Sequence, residues 1–160
     1  MEKVIGIILR LSKVLNDIAG AALTFMMSIT VADVLLRAGG HPIIGTYEIV
    51  ALSGAVVIGF AIPLTSWNRG HVYMEFLLDR LSRQNKNILN TATRILCIIL
   101  FVFIAVKLFQ IGSEFHASGE VSPTIKIPFY PVVYAVGLCC IIECVVFVCD
   151  IVKIWESKYE

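Results

Sequence analysis

Four apolar stretches, each close to 20 residues long, dominate this 160-residue chain and leave few architectures open to it. About 20 consecutive apolar residues is what a helix needs to cross a hydrocarbon core of about 30 Å. The stretches are predicted as spanning helices at 14–36, 43–66, 88–112 and 127–149. Composition agrees: 58% of residues are hydrophobic and 16% charged, whereas a soluble domain carries about 25% charged residues. The fold class is therefore an all-α integral membrane protein with four transmembrane helices. No room remains for a sizeable soluble domain, and no internal repeat or low-complexity segment is present. The formal net charge of +1 gives no reason to expect a nucleic-acid partner.

Between the second and third spans lies the main polar island, Trp67 to Leu81, continuing as a cytoplasmic loop over 67–87. Within it Tyr73, Phe76, Leu77 and Leu81 recur at helical spacing, with Glu75, Asp79, Arg80 and Arg83 mostly on other faces. Asp79 and Arg83 are an i,i+4 pair of the favourable order. This pattern predicts an amphipathic helix lying in the membrane interface over 73–83. Residues 1–13, with Val4, Ile5, Ile8 and Leu11 against Lys3, Arg10 and Lys13, read as a second, shorter interfacial lead-in. Arg37-Ala38-Gly39-Gly40-His41-Pro42 carries turn punctuation, which makes the first two spans an antiparallel hairpin. Residues 113–126 form a polar loop, and 150–160 a tail. Pro128 and Pro131 sit just before or within the first turn of the last span, where a missing N–H costs little.

Ten of the thirteen Lys and Arg residues fall on the side of the termini and the polar island; Arg37, Lys107 and Lys126 fall on the other. The positive-inside rule then places both termini and the island in the cytoplasm. Arg94 and Lys107 can snorkel from the third span toward opposite surfaces. The five cysteines all lie in spans or at their ends, an arrangement suited to small apolar filler rather than a disulfide framework.

Ionisable residues inside spans are the candidates for function. Glu143 is the deepest. It is read as a solvated carboxyl one or two turns below the cytoplasmic surface, as half of a buried pair with another subunit, or as an ion or proton relay. Asp33 and Arg37, four apart, share a helix face, and Glu48 returns from the hairpin at comparable depth. The three are expected to form a charge cluster locking the first two helices, with a substrate or cation site as the alternative. His71 and Glu75 are also i,i+4, a weak metal signal; no metal or cofactor is expected in this chain. All three histidines sit at span ends, which argues against a haem-holding anchor. No nucleophile constellation or phosphate loop suggests an enzyme.

The order of these features resembles the small, DctQ-type membrane subunit of TRAP (tripartite ATP-independent periplasmic) transporters. Two patterns carry the resemblance. One is Asp33, Arg37, Pro42 and Tyr47-Glu48 across the first hairpin. The other is Arg69-Gly70-His71-Val72 followed by an amphipathic helix; here Gly70 directly precedes His71, slightly compressing the family spacing. The resemblance implies a scaffold subunit of a sodium-coupled, binding-protein-dependent carrier for organic acids, of the C4-dicarboxylate or sialic acid class. It implies a large multi-spanning transport subunit that holds the substrate and sodium sites, and a periplasmic substrate-binding protein. The localisation implied is the bacterial inner membrane. Two readings of the residues stay open beside it: a small homo-oligomeric carrier or channel, and a membrane anchor of a respiratory enzyme.

Overall fold

The computed structural model describes the backbone of residues 2–68 and 83–155, and side chains from residue 5 to 68 and 88 to 152. It is all-helical: α1 spans Glu2–Ala38, α2 Thr46–Trp67, α3 Arg83–Ser118 and α4 Tyr130–Trp155. Each contains a segment long and apolar enough to cross a membrane. Among the described residues there is no strand, only an isolated antiparallel bridge between Val121 and Pro128.

The four spans expected from the sequence are all helical, with different ends. The lead-in at 1–13 is not a separate element, because the chain from Glu2 runs straight into the first span as one helix of 37 residues. At 1.5 Å per residue it is about 55 Å long, well beyond a hydrocarbon core of about 30 Å. Helix α3 likewise continues past 112 through Ser118. Polar Ser113, Glu114 and His116 look like loop residues, but they break no backbone rule of a helix. The stop comes at Gly119, whose φ of 67° provides the left-handed residue that commonly ends helices. The expected interfacial helix at 73–83 lies outside the described residues, apart from Arg83.

The helices pack in the order α1, α2, α4, α3, with slight contact between α1 and α4. Hairpins α1/α2 and α3/α4 are thus joined through α2 and α4. In α4, 33% of the most apolar window is buried, against 11% in each of α1 and α3, which puts α4 at the centre. The flanking helices display large apolar side chains outward, among them Phe25, Met27 and Val31 on α1 and Leu96, Ile99 and Phe103 on α3. Hydroxyls on the helices are covered locally: Thr24, Ser28 and Thr30 each donate to the carbonyl four residues earlier, as does Thr65 on α2. That bonding hides a polar group where no water is available to it.

Small residues set the helix spacing. A Cβ on Gly59 of α2 would meet the Val136 side chain of α4 at 3.0 Å, and one on Gly112 of α3 would meet the Tyr134 ring at 2.8 Å. Close approach over such residues is how helices gain van der Waals contact where lipid removes the hydrophobic drive. Aromatic pairs continue the α3/α4 seam, with Phe101–Phe147 at 6.0 Å and Phe109–Tyr134 at 5.8 Å between ring centroids. Helices α2 and α4 run parallel in a constant register. Glu48 bonds Ile125 and Ser66 bonds Glu143, each pair 77 residues apart, and Gly59 faces Val136 at the same offset.

Candidate functional site

Among the described residues the buried charged groups gather at the two ends of the helix array. One is the turn end, holding the 39–45 turn and the 119–129 loop. The other is the termini end, where the chain begins and finishes.

At the turn end Arg37 donates to Asp33 Oδ2 at 2.7 Å, the i,i+4 pair expected from spacing. The Asp33 carboxylate does more than pair. Its Oδ1 accepts the backbone N–H of Ile43 at 2.8 Å, tying the end of α1 to the turn that leads into α2. Asp33 is 5% exposed, while the Arg37 side chain is 68% exposed, so the carboxylate is the structural member of the pair.

Glu48 does not join them, contrary to the expected three-residue cluster. Its carboxylate reaches across to the 119–129 loop, where Oε1 accepts the N–H of Thr124 at 2.8 Å and Oε2 that of Ile125 at 3.1 Å. The reason is local geometry. Gly45 at φ 83° opens α2 and packs so closely on Ile125 that a Cβ there would lie 2.8 Å from its side chain. The loop is thereby brought over the first turn of α2, and its unbonded N–H groups claim the nearest carboxylate. Buried Ser122 closes the loop on itself. It exchanges backbone bonds with Ile127 and Lys126, its Oγ accepts the Ile127 N–H, and Lys126 is held at φ 55°.

At the termini end, side chains link one helix to the next. Arg94 of α3 does not snorkel. Its Nε and Nη2 both approach Asp150 Oδ2 of α4 at 3.4 Å, and Nη1 donates to the Asn90 carbonyl. Arg94 is 8% exposed and Asp150 3%. Lys107, by contrast, is exposed on α3 and donates to Gln110 Oε1 at 3.0 Å.

Glu143 is neither solvated nor available to another subunit, since its own chain covers it completely. Oε1 is hydrogen-bonded to Ser66 Oγ of α2, and Oε2 is buried without a hydrogen-bond partner. Ser12 Oγ of α1 is likewise buried and unbonded. Cys139 and Cys140 are buried beside Glu143 on α4, and all five cysteines are free thiols. Arg69, Gly70 and His71, and the candidate interfacial residues Tyr73, Phe76, Leu77 and Leu81, lie outside the described residues.

Sequence reasoning missed the Arg94–Asp150 pair, the Ser66 partner of Glu143 and the fold-back of the loop. The first had a signal: Arg94 and Asp150 stand at similar distances on either side of the 119–129 loop, so an antiparallel hairpin brings them level. The second had a weaker one, since it needs the α2/α4 register. The third had none, because Glu48 bonds main-chain N–H groups that every non-proline residue possesses.

Four spanning helices fastened by polar contacts at both ends define a multi-pass membrane protein. A family model described as "Tripartite ATP-independent periplasmic transporters, DctQ component" matches residues 26–157. The chain belongs to this family, and is the small membrane component of a TRAP transporter, a transporter component rather than an enzyme. The family implies the partners of such a transporter, a large membrane subunit and a substrate-binding protein. Comparisons with curated proteins and with solved structures give no match. The match covers Asp33, Arg37, Glu48 and Glu143, and leaves the first two-thirds of α1 outside.

Proposed function

We propose that this chain is the fixed scaffold of its transporter and carries nothing by itself. One observation supports this reading above others. Between the layer of Asp33 and Glu48 and the layer of Arg94 and Glu143, no acidic or basic side chain is buried among the helices: 18–32, 49–65 and 130–142 carry none, and on α3 Lys107 and Glu114 are exposed. A path for an ion or a carboxylate needs charged groups inside the array at membrane depth, and the interior of this belt offers none. The charged groups at each end are engaged in holding the chain's own helices and loop, as suits a part that stays still while a partner moves.

On this reading the large subunit carries the substrate site and the sodium sites, and sodium coupling belongs to that partner. The substrate is an organic acid of the C4-dicarboxylate or sialic acid class, delivered by a periplasmic binding protein. The complex sits in a bacterial inner membrane. The Lys/Arg distribution puts the termini end in the cytoplasm and the turn end outside. The outward apolar faces of α1 and α3 are the surfaces available to lipid and to the large subunit.

The test is purification of the tagged chain from its native host in mild detergent, with mass spectrometry of what accompanies it. A stoichiometric, hydrophobic partner several times larger is the expected result. A chain that emerges alone, or only with copies of itself, would overturn the scaffold reading.

A further inference from the structure

The Glu143–Ser66 contact links α2 to α4 at the termini end, and its chemistry is unlike that of the other carboxylates. Asp33 has a guanidinium and a backbone N–H, Glu48 two backbone N–H groups, and Asp150 a guanidinium. Glu143 is 0% exposed, touches a single hydroxyl through Oε1, and buries Oε2 without a protein partner.

The neighbouring elements supply no compensating charge. On α4 within two turns of Glu143 the titratable groups are Cys139, Cys140, Cys144, Cys149 and Asp150, none of them cationic at neutral pH. The α2 segment from Phe60 to Asn68 contains no acidic or basic residue. On α1, Arg10, Lys13 and Asp17 are exposed, and Ser12 is the buried residue of that turn. On α3, Arg94 pairs with Asp150. Among the described residues no cation pairs with Glu143.

An ionised carboxylate in this junction would place half its charge on a buried oxygen with no protein donor, inside a membrane span. An unpaired buried charge is among the most expensive things a fold can hold. A neutral acid fits the same atoms. Its single proton, on Oε1, is donated to Ser66 Oγ, the reverse of the bond in which the hydroxyl donates to a carboxylate. Oε2 is then a carbonyl-type oxygen, whose missing donor costs far less than that of a carboxylate. From this geometry we infer that Glu143 is carried as the uncharged acid, and that its bond to Ser66 is a proton-held latch fixing α2 to α4. Opening it releases one proton from the Glu143 carboxylic acid to water and leaves a carboxylate that the junction does not solvate. The folded chain therefore holds a proton that the unfolded chain lacks at neutral pH, and stability falls as pH rises.

The inference is independent of the scaffold reading and is tested on the purified full chain. Glu143→Gln keeps the shape and a hydrogen for Ser66 but cannot ionise. The infrared difference spectrum, wild type minus Glu143→Gln at neutral pH, is expected to show the carbonyl stretch of a protonated carboxylic acid. Ser66→Ala is expected to move that band to higher frequency, because the acid loses its acceptor. Glu143→Gln should melt at the wild-type temperature at neutral pH, and should lack the loss that wild type shows as the medium is made alkaline. A difference spectrum containing only carboxylate bands at neutral pH would overturn the latch. So would a Glu143→Gln chain that melts lower than wild type at neutral pH while both respond alike to alkali.

Discussion

The two ends of the helix array use the same residue types in opposite ways. At the turn end, Asp33 and Glu48 take main-chain N–H groups as partners, and what they organise is backbone: the 39–45 turn and the 119–129 loop. At the termini end, Arg94, Asp150, Ser66 and Glu143 take side chains, and what they organise is the relation of one helix to another. The difference follows from surroundings. A loop end has orphan N–H groups in need of acceptors, whereas helices between their ends have satisfied every backbone group and leave only side chains to bond. Charges at the turn end should therefore be felt locally, and those at the termini end globally.

The largest effect is expected from Arg94→Ala, which leaves the Asp150 carboxylate buried without its guanidinium. Breaking a buried pair from one side typically costs about 3–5 kcal/mol, visible as a large drop in the melting temperature of the detergent-solubilised complex. A variant that melts like wild type would erase the contrast between the ends. Next comes Gly59→Leu, whose side chain has no space against Val136. Overpacking of this kind costs on the order of 1–3 kcal/mol. It should spread α2 from α4, seen as a longer distance between spin labels on the two helices. Glu48→Ala should act on the loop rather than on the whole. Hydrogen exchange at Thr124 and Ile125 is expected to quicken by roughly tenfold or more, since bonds to a charged acceptor are among the stronger ones, with melting little changed. Global destabilisation without faster loop exchange would contradict it. Arg37→Ala is expected to be the mildest, under about 1 kcal/mol, because its side chain is largely in solvent and Asp33 keeps the Ile43 N–H.

How far the sequence anticipates this division depends on whether a partner is encoded as a side chain at a readable spacing. Asp33 and Arg37 are legible because i,i+4 residues share a helix face. The four spans are legible because their apolar runs match the membrane, although Gly119 rather than the first polar residue marks where α3 stops. Glu48 was misassigned because its partners are peptide groups of a loop whose position depends on Gly45 meeting Ile125. Depth along one helix cannot choose among the three readings of Glu143, because it hides what neighbouring helices cover. Only the parallel register of α2 and α4 shows Ser66 lying against it.

The most direct measurement is uptake into proteoliposomes holding this chain alone, compared with liposomes that also hold its large membrane partner and are given the binding protein and a sodium gradient. The account predicts no uptake of any organic acid by the chain alone, and uptake once the partner is present. Substrate or ion flux through the chain by itself would contradict it, because the interior between the two ends, which buries no charged group, would then have to carry it.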